Sequence, residues 1–246
     1  LALAAAGATV VLLGRNKEVA DQRANEITTS GGQALAIIAD VLTEKDLQQA
    51  ADTIVSKYGR IDGLVNAAGG NQPGAVVQPD DDLFELNINA LKDVLNLNLF
   101  GTLLPVQIFG RIMANTSLSA SIVNVSSVSA KMVLTKVLGY SLAKAAIENY
   151  TKWFAVEAAK RYNGKIRMNA IVPGFFLTEQ NKTLLTNPDG TYTQRGKDVI
   201  HQTPLNRFGN PEELTAAVTW LLSDASSFVV GSTVVIDGGF TVFSGV

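Results

Sequence analysis

Short runs of consecutive apolar residues recur along the chain, separated by longer stretches of mixed polarity. The runs are Val10–Leu13, Ala34–Ala39, Ile61–Val65, Ser121–Val125, Ile166–Ile171 and Thr233–Ile236. Each is too short for a core helix and has the length of a buried strand. The stretches between them predict helices at Lys17–Ser30, Thr43–Tyr58, Ala90–Met113, Leu138–Tyr162 and Pro211–Ser223. Boundary signals agree. Gly31-Gly32 stops the first helix, Thr43 with Glu44 and Asp46 opens the second, and Pro211 takes the first position of the last. Apolar strands alternating with helices predict an α/β fold: one domain, 1–246, with a doubly wound parallel sheet and helices on both faces.

Three segments sit outside this rhythm. Asn71–Asn87 reads as a long polar loop whose acidic run, Asp80–Asp82, is a solvated surface or a helix start rather than a metal site. Phe175–Ile200 has weak periodicity and the length of a functional lid. Leu1–Ala6 reads as the last turns of a helix, ended by Gly7 and feeding the first strand. A helix feeding a parallel strand implies an earlier strand and turn. The domain is therefore expected to include a first strand and a glycine-rich turn that residues 1–246 do not contain.

Composition narrows the function classes. At 47% hydrophobic and 17% charged, the chain can bury a sizeable core. A net charge of -2 gives no reason to expect a nucleic acid or an anionic membrane as partner. Without cysteine there is no disulfide, thiolate metal site or thiol nucleophile, and the single histidine, His201, cannot build a histidine metal site. No metal is expected, and His201 is read as a surface or lid residue. No uninterrupted apolar run reaches the roughly 18 residues of a membrane span. No signal peptide is visible, and a cytoplasmic location is expected. Trp153 and Trp220 fall on helices and are read as packing residues.

The stretch from Ser126 to Lys144 concentrates the candidate chemistry. Tyr140 and Lys144 are four apart, which places them on one helix face a turn apart. An ammonium beside a phenol favours the phenolate, so the pKa of Tyr140 is expected to fall from its ordinary value of about 10. Such a tyrosine can give a proton to a carbonyl oxygen or take one from an alcohol. Ser127 ends an apolar run, at the carboxyl end of a strand, where α/β proteins bind ligands.

NAAG at 66–69, Asn98 in NLFGT, NVSS at 124–127, YSLAK at 140–144 and NAIVPGFFLT at 169–178 occur together and in this order. This set, with Ser127 thirteen residues before Tyr140, resembles the short-chain dehydrogenases/reductases over essentially the whole chain. The resemblance departs at the glycine-rich phosphate loop, which has no counterpart in the sequence. It implies a Rossmann-like fold, a nicotinamide cofactor and a catalytic set of Asn98, Ser127, Tyr140 and Lys144. In that set Tyr140 is the general acid/base and Lys144 lowers its pKa and binds the nicotinamide ribose. Ser127 donates to the substrate oxygen, and Asn98 holds a water linking Lys144 to solvent. The resemblance also implies cofactor contacts from Asp40 and Val41 to adenine, and from Asn66, Ala67, Ala68 and Gly69 along the cofactor. Tyr140, Lys144, Pro173, Gly174, Phe176 and Thr178 would surround the nicotinamide end, and Asn66 would tie neighbouring strands.

At the end of the first strand, Gly14-Arg15-Asn16 offers no acid for a ribose 2′-hydroxyl, while Arg15 suits a 2′-phosphate. NADP is thus favoured over NAD, with Arg15 and Asn16 as contacts. NAIVPGFFLTEQN and the carboxyl-terminal segment resemble the sugar-acid branch of the family, of the D-mannonate oxidoreductase and gluconate 5-dehydrogenase kind. This implies a small polar substrate, with Ser127, Ser129, Lys131 and Tyr140 as contacts and Lys131 as the cation for its carboxylate. Asn71, Gln72, Gln180 and Asn181 are further polar candidates. The long helices at 90–113 and 138–162 resemble those that pair between subunits, implying a homo-tetramer or homo-dimer. Two other readings stay open: a non-catalytic nucleotide-binding protein of the same fold, and a reductase of another small polar carbonyl compound.

Overall fold

Each predicted apolar run becomes a parallel strand in the computed structural model, which describes residues 1–178 and 181–245. In chain order the main elements are α1 (Ala2–Ala5), β1 (Thr9–Gly14), α2 (Lys17–Thr29), β2 (Gln33–Ile38), α3 (Glu44–Tyr58), β3 (Gly63–Asn66), α4 (Ile88–Leu95) and α5 (Gly101–Thr116). They continue with β4 (Ala120–Val125), α6 (Leu138–Arg161), β5 (Ile166–Pro173), α7 (Lys182–Leu185), α8 (Gln194–Gln202), α9 (Thr215–Leu222) and β6 (Thr233–Ile236). The named strands pair in parallel among the described residues: β1 with β2, and β3-β4-β5-β6 in that order.

Alternate residues of the central strands face opposite layers, which is why these strands read as continuous apolar runs. Ile122 and Met168 pack with Val106 and Met113 of α5 and Ala155 and Ala158 of α6. Val123 and Ile171 face the other way, onto Leu221 of α9. The sheet is in two parts among the described residues. Val11 and Leu13 of β1 nonetheless pack on the same patch of α3 and α5 as Leu64 of β3, so one helical layer spans both parts.

Several local expectations change. Thr43 stands at the N-cap of α3 but its side chain makes no capping bond. Asp46 in the first turn accepts instead from the Asp40 backbone N–H at 3.1 Å. The lid segment contains α8, whose start is fixed by Thr193 accepting from the Gly196 N–H at 3.1 Å. The acidic loop run builds turns: Asp81 accepts from the Gln78 N–H and Asp82 from the Phe84 N–H. No group of three acidic, histidine or cysteine residues could hold a metal among the described residues. Trp153 and Trp220 lie on helices but are 61% and 40% exposed, so neither is a packing residue within this chain.

α4, a wide π turn at Asn96–Phe100 and α5 run on as one helix over 88–116. It is long and apolar enough to cross a membrane, with a mean hydropathy of 1.3 over its most apolar window. Here it is a core helix, burying Val94, Val106, Phe109 and Met113. The wide turn lies just ahead of Pro105, which cannot donate to the carbonyl one turn back.

Candidate active site

The carboxyl ends of five strands converge on one edge of the fold, and most of the expected residues lie there. Ser127 follows β4 and caps a short 3₁₀ turn at Val128–Ala130, its Oγ accepting from the Ser129 N–H at 3.2 Å. Tyr140 and Lys144 lie on the first turns of α6. Gly139 lets this helix approach α4 closely, since a Cβ there would stand 3.0 Å from the Leu91 side chain. Tyr140 packs on Ala75, Leu91 and Val94. The Ser127 hydroxyl lies near enough to the Tyr140 phenol to act on its pKa.

The electrostatics differ from the expectation for Tyr140. Burial pushes its phenol above the ordinary value, and the Ser127 hydroxyl pulls it back only in part. Lys144 is 4% exposed, and loss of solvation lowers its pKa to about 8. Its ammonium donates to the Val125 carbonyl at 2.8 Å and stands 5.4 Å from the centroid of the Tyr140 ring. Burial therefore brings the two groups together from opposite sides: it disfavours the phenolate and the ammonium alike.

Asn98, fully buried in the wide turn, clamps the loop after β3. Its Oδ1 accepts from the Gly70 N–H at 3.0 Å, and its Nδ2 donates to the Gly70 and Val94 carbonyls at 2.7 and 2.8 Å. Both Nδ2 hydrogens of the carboxamide are thus committed to backbone carbonyls. Gly69 completes the corner. A Cβ there would stand 2.5 Å from Asn98 Oδ1 and 3.5 Å from Lys144 Nζ, so only glycine fits without displacement. Asn66 ties strands as expected, its Nδ2 donating to Asn124 Oδ1 at 2.9 Å, and Asn124 Nδ2 donates on to Thr151 of α6 at 2.9 Å.

At the far end of the crevice, Arg15 and Asp40 meet at 3.8 Å. Asp40 also accepts from the Leu42 N–H, and Val41 packs under Gly101 at the start of α5. Asn16 caps α2 through the Val19 N–H, so its side chain serves the helix. Pro173 ends β5, and Gly174 is needed where Asp237 of the next strand end passes 2.7 Å from its Cβ position. The Phe176 ring is turned away and buried over Gly209, leaving only its backbone near the crevice. Thr178 is organised by Asn181, whose Oδ1 accepts from its N–H at 2.8 Å. Gln180 lies outside the described residues.

Lys131 is not a free cation. It pairs with Glu148 of α6 at 3.0 Å, a partner the sequence reading did not single out. The signal was there: Glu148 continues the Tyr140–Lys144 step of four residues. Ser129 Oγ and Asn71 Oδ1 are buried without a hydrogen-bond partner among the described residues. His201 lies in the last turn of α8 and is exposed.

Residues 1–241 match the family model described as enoyl-(acyl carrier protein) reductase. The chain is a short-chain dehydrogenase/reductase. It is 42% identical to an uncharacterized oxidoreductase of Bacillus subtilis, over 99% of this chain and 90% of that one. A crystal structure from Haemophilus influenza with bound NAD, provisionally described as a D-mannonate oxidoreductase, is 40% identical. Its TM-score is 0.90, over 99% of this chain and 90% of that one. A gluconate 5-dehydrogenase from Burkholderia cenocepacia, in complex with NADP and tartrate, is 30% identical with a TM-score of 0.83, over 98% of this chain and 88% of that one. This short-chain dehydrogenase/reductase is accordingly an oxidoreductase that uses a nicotinamide cofactor. The row of strand ends fits such a group: Gly69 keeps the corner beside Lys144 and Asn98 free of side-chain atoms that a Cβ would add.

Proposed function

We propose that this enzyme interconverts a secondary alcohol and a ketone on a sugar acid, of the D-mannonate/D-fructuronate type. The observation that carries the substrate class is the 40% identity, at a TM-score of 0.90, to the Haemophilus influenza structure provisionally described as a D-mannonate oxidoreductase. Two buried polar atoms, Ser129 Oγ and Asn71 Oδ1, have no protein hydrogen-bond partner among the described residues and could accept one from a hydroxyl-rich substrate.

The family resemblance assigns the catalytic roles, and the geometry is consistent with them. The substrate oxygen takes a place between the Ser127 and Tyr140 hydroxyls. In the reducing direction Ser127 donates to it as negative charge develops, and Tyr140 gives it a proton. A phenol held up by burial is a ready donor in that direction. In the oxidising direction Tyr140 takes the alcohol proton and Ser127 holds the oxygen. The buried Lys144 ammonium stabilises the phenolate side of the exchange. Asn98 keeps Gly70, and with it the Gly69 corner, in place. The nicotinamide, when bound, supplies or takes the hydride.

The cofactor would lie along the strand ends. Arg15, Asn16, Asp40 and Val41 take its adenosine end, and Asn66, Ala67, Ala68 and Gly69 its middle. Tyr140, Lys144, Pro173, Gly174, Thr178 and the Phe176 backbone take its nicotinamide end. Arg15 favours NADP by its charge, although the Asp40 carboxylate at 3.8 Å already holds part of that charge. Exposed Leu142, Trp153 and Val156 on α6 and Phe100 at the wide turn suit pairing of like subunits.

The test is a spectrophotometric screen of NADP⁺ and NAD⁺ with D-mannonate, D-gluconate and simple secondary alcohols, beside a Tyr140→Phe control. Turnover of a sugar acid, lost in the control, is the expected result. Turnover of simple alcohols alone would discard the sugar-acid substrate. Cofactor binding without any turnover would favour a non-catalytic nucleotide-binding role.

A further inference from the structure

One carboxylate grips both ends of the turn that carries Ser127. Glu148 Oε1 accepts from Ser126 Oγ at 3.1 Å, on one side of Ser127. Glu148 Oε2 accepts from Lys131 Nζ at 3.0 Å, on the other side. Lys131 also reaches Thr233 Oγ1 of β6 at 3.5 Å, and Ser126 Oγ reaches the Lys144 carbonyl at 3.3 Å. Between the two grips lie Ser127, Val128, Ser129 and Ala130.

The grip belongs to a longer ladder. Tyr140, Lys144 and Glu148 follow one another at steps of four along α6 and so share a face. Each meets the end of β4: Tyr140 at Ser127, Lys144 at the Val125 carbonyl, Glu148 at Ser126. Thr151 adds a rung at Asn124. The helix that carries the acid/base is thereby set in register with the strand end that carries the hydroxyl donor.

Stability alone does not call for an acid here. Glu148 is 7% exposed, and its neighbours along the buried side of α6 are Ala143, Ile147 and Ala155. Glu148 is buried while the Lys131 side chain keeps 28% of its surface exposed; an ion pair with a buried member is often no more stabilising than apolar residues of similar volume, whereas it fixes geometry in a way apolar contacts do not. Positioning errors of about 1 Å at a reacting centre can slow a reaction about 100-fold.

We propose that Glu148, through Ser126 and Lys131, is a positioning residue that holds Ser127 against Tyr140, and that Lys131 serves this clamp rather than the substrate carboxylate. The proposal rests on the roles given above to Ser127 and Tyr140.

The decisive variant is Lys131→Met/Glu148→Leu, which removes both charges and leaves neither partner unpaired. Glu148→Leu alone and Lys131→Arg accompany it. With a substrate the wild type turns over, the double variant and Glu148→Leu are expected to lose about 10- to 100-fold in kcat. Their cofactor affinity should stay within about twofold, and the melting temperature of the double variant should match the wild type or exceed it. Lys131→Arg should keep most of the activity. An unchanged kcat in the folded double variant overturns the proposal. So does a joint fall of kcat, cofactor affinity and melting temperature in that variant, which marks a structural role only. Should the wild type turn over nothing, the substrate reading fails and the clamp is read by spectroscopic titration of Tyr140, against a Tyr140→Phe blank. The double variant must then titrate at higher pH than the wild type, because Ser127 no longer supports the phenolate; an identical titration overturns the clamp.

Discussion

The Lys144 ammonium donates to the Val125 carbonyl at 2.8 Å, which plants a buried cation at the end of the strand that leads into Ser127. No acidic side chain among the described residues forms a salt bridge with it, and burial lowers its pKa to about 8 from 10.5. The sign of the linkage follows. A lysine depressed in the folded state binds fewer protons there than in the unfolded chain between those two values, so folding gains stability as pH rises from about 8 to 10.5. Subtracting the stability of Lys144→Met, measured by denaturant unfolding at each pH, isolates this group. The difference should move in favour of the wild type by on the order of 3 kcal/mol across the window. A flat difference would show that the ammonium is solvated in the folded protein. The same variant should lose most of its turnover at every pH.

How far the sequence reached depends on the range of the interaction. Short apolar runs such as Ile166–Ile171 are strands whatever their neighbours, because both faces are covered. The nine-residue α8 carries its apolar contacts on Val199 and Ile200, too few for a period to stand out. Tyr140 and Lys144 were legible because a helix dictates their proximity. Ser127 was legible as a strand-end hydroxyl, but its pairing with Tyr140 came only through the family resemblance, since that approach depends on the fold of a turn. The pairing of Lys131 with Glu148 was not legible because the partner lies 17 positions away across that turn. The upward push on Tyr140 was out of reach as well: it comes from packing on Ala75, Leu91 and Val94, residues of other elements.

Asn98 and Gly69 form one steric unit, and each should fail differently. Asn98→Ala removes three hydrogen bonds to the Gly70 and Val94 backbone and leaves buried groups unpaired. It is expected to cost on the order of 2–3 kcal/mol, seen as a lower melting temperature, together with reduced turnover. Gly69→Ala would push a methyl into Asn98 and crowd Lys144. Its main effect should be on cofactor affinity, measured by fluorescence titration. An Asn98→Ala variant as stable as wild type would remove the clamp from the account.

Arg167 offers a control far from the chemistry. Its guanidinium is buried and donates to the Leu221, Ser223 and Ser226 carbonyls around the end of α9. It stands six residues before Pro173, about 20 Å along β5 from the crevice. Arg167→Met should destabilise by on the order of 3 kcal/mol, since several carbonyls lose a charged donor at once. KM and kcat of the folded fraction should not change. A selective loss of kcat would show that the base of β5 is coupled to the site.

The proposed preference for NADP can be tested at the Arg15–Asp40 pair at the ends of β1 and β2. Arg15 is largely exposed and only 3.8 Å from Asp40, so a 2′-phosphate must compete with an existing carboxylate for the guanidinium. Arg15→Ala should therefore raise KM for NADP(H) while leaving that for NAD(H) within about twofold, because only the phosphate needs the cation. Asp40→Asn should do the reverse: it releases Arg15 and removes a like charge, lowering KM for NADP(H). The two effects should fall off as salt is added, as expected for charges at an exposed rim. If Arg15→Ala leaves the ratio of the two KM values unchanged, Arg15 is a solvated surface residue and the discrimination lies elsewhere. If the wild type already prefers NAD and Asp40→Asn reverses the preference, the carboxylate rather than the guanidinium sets the choice.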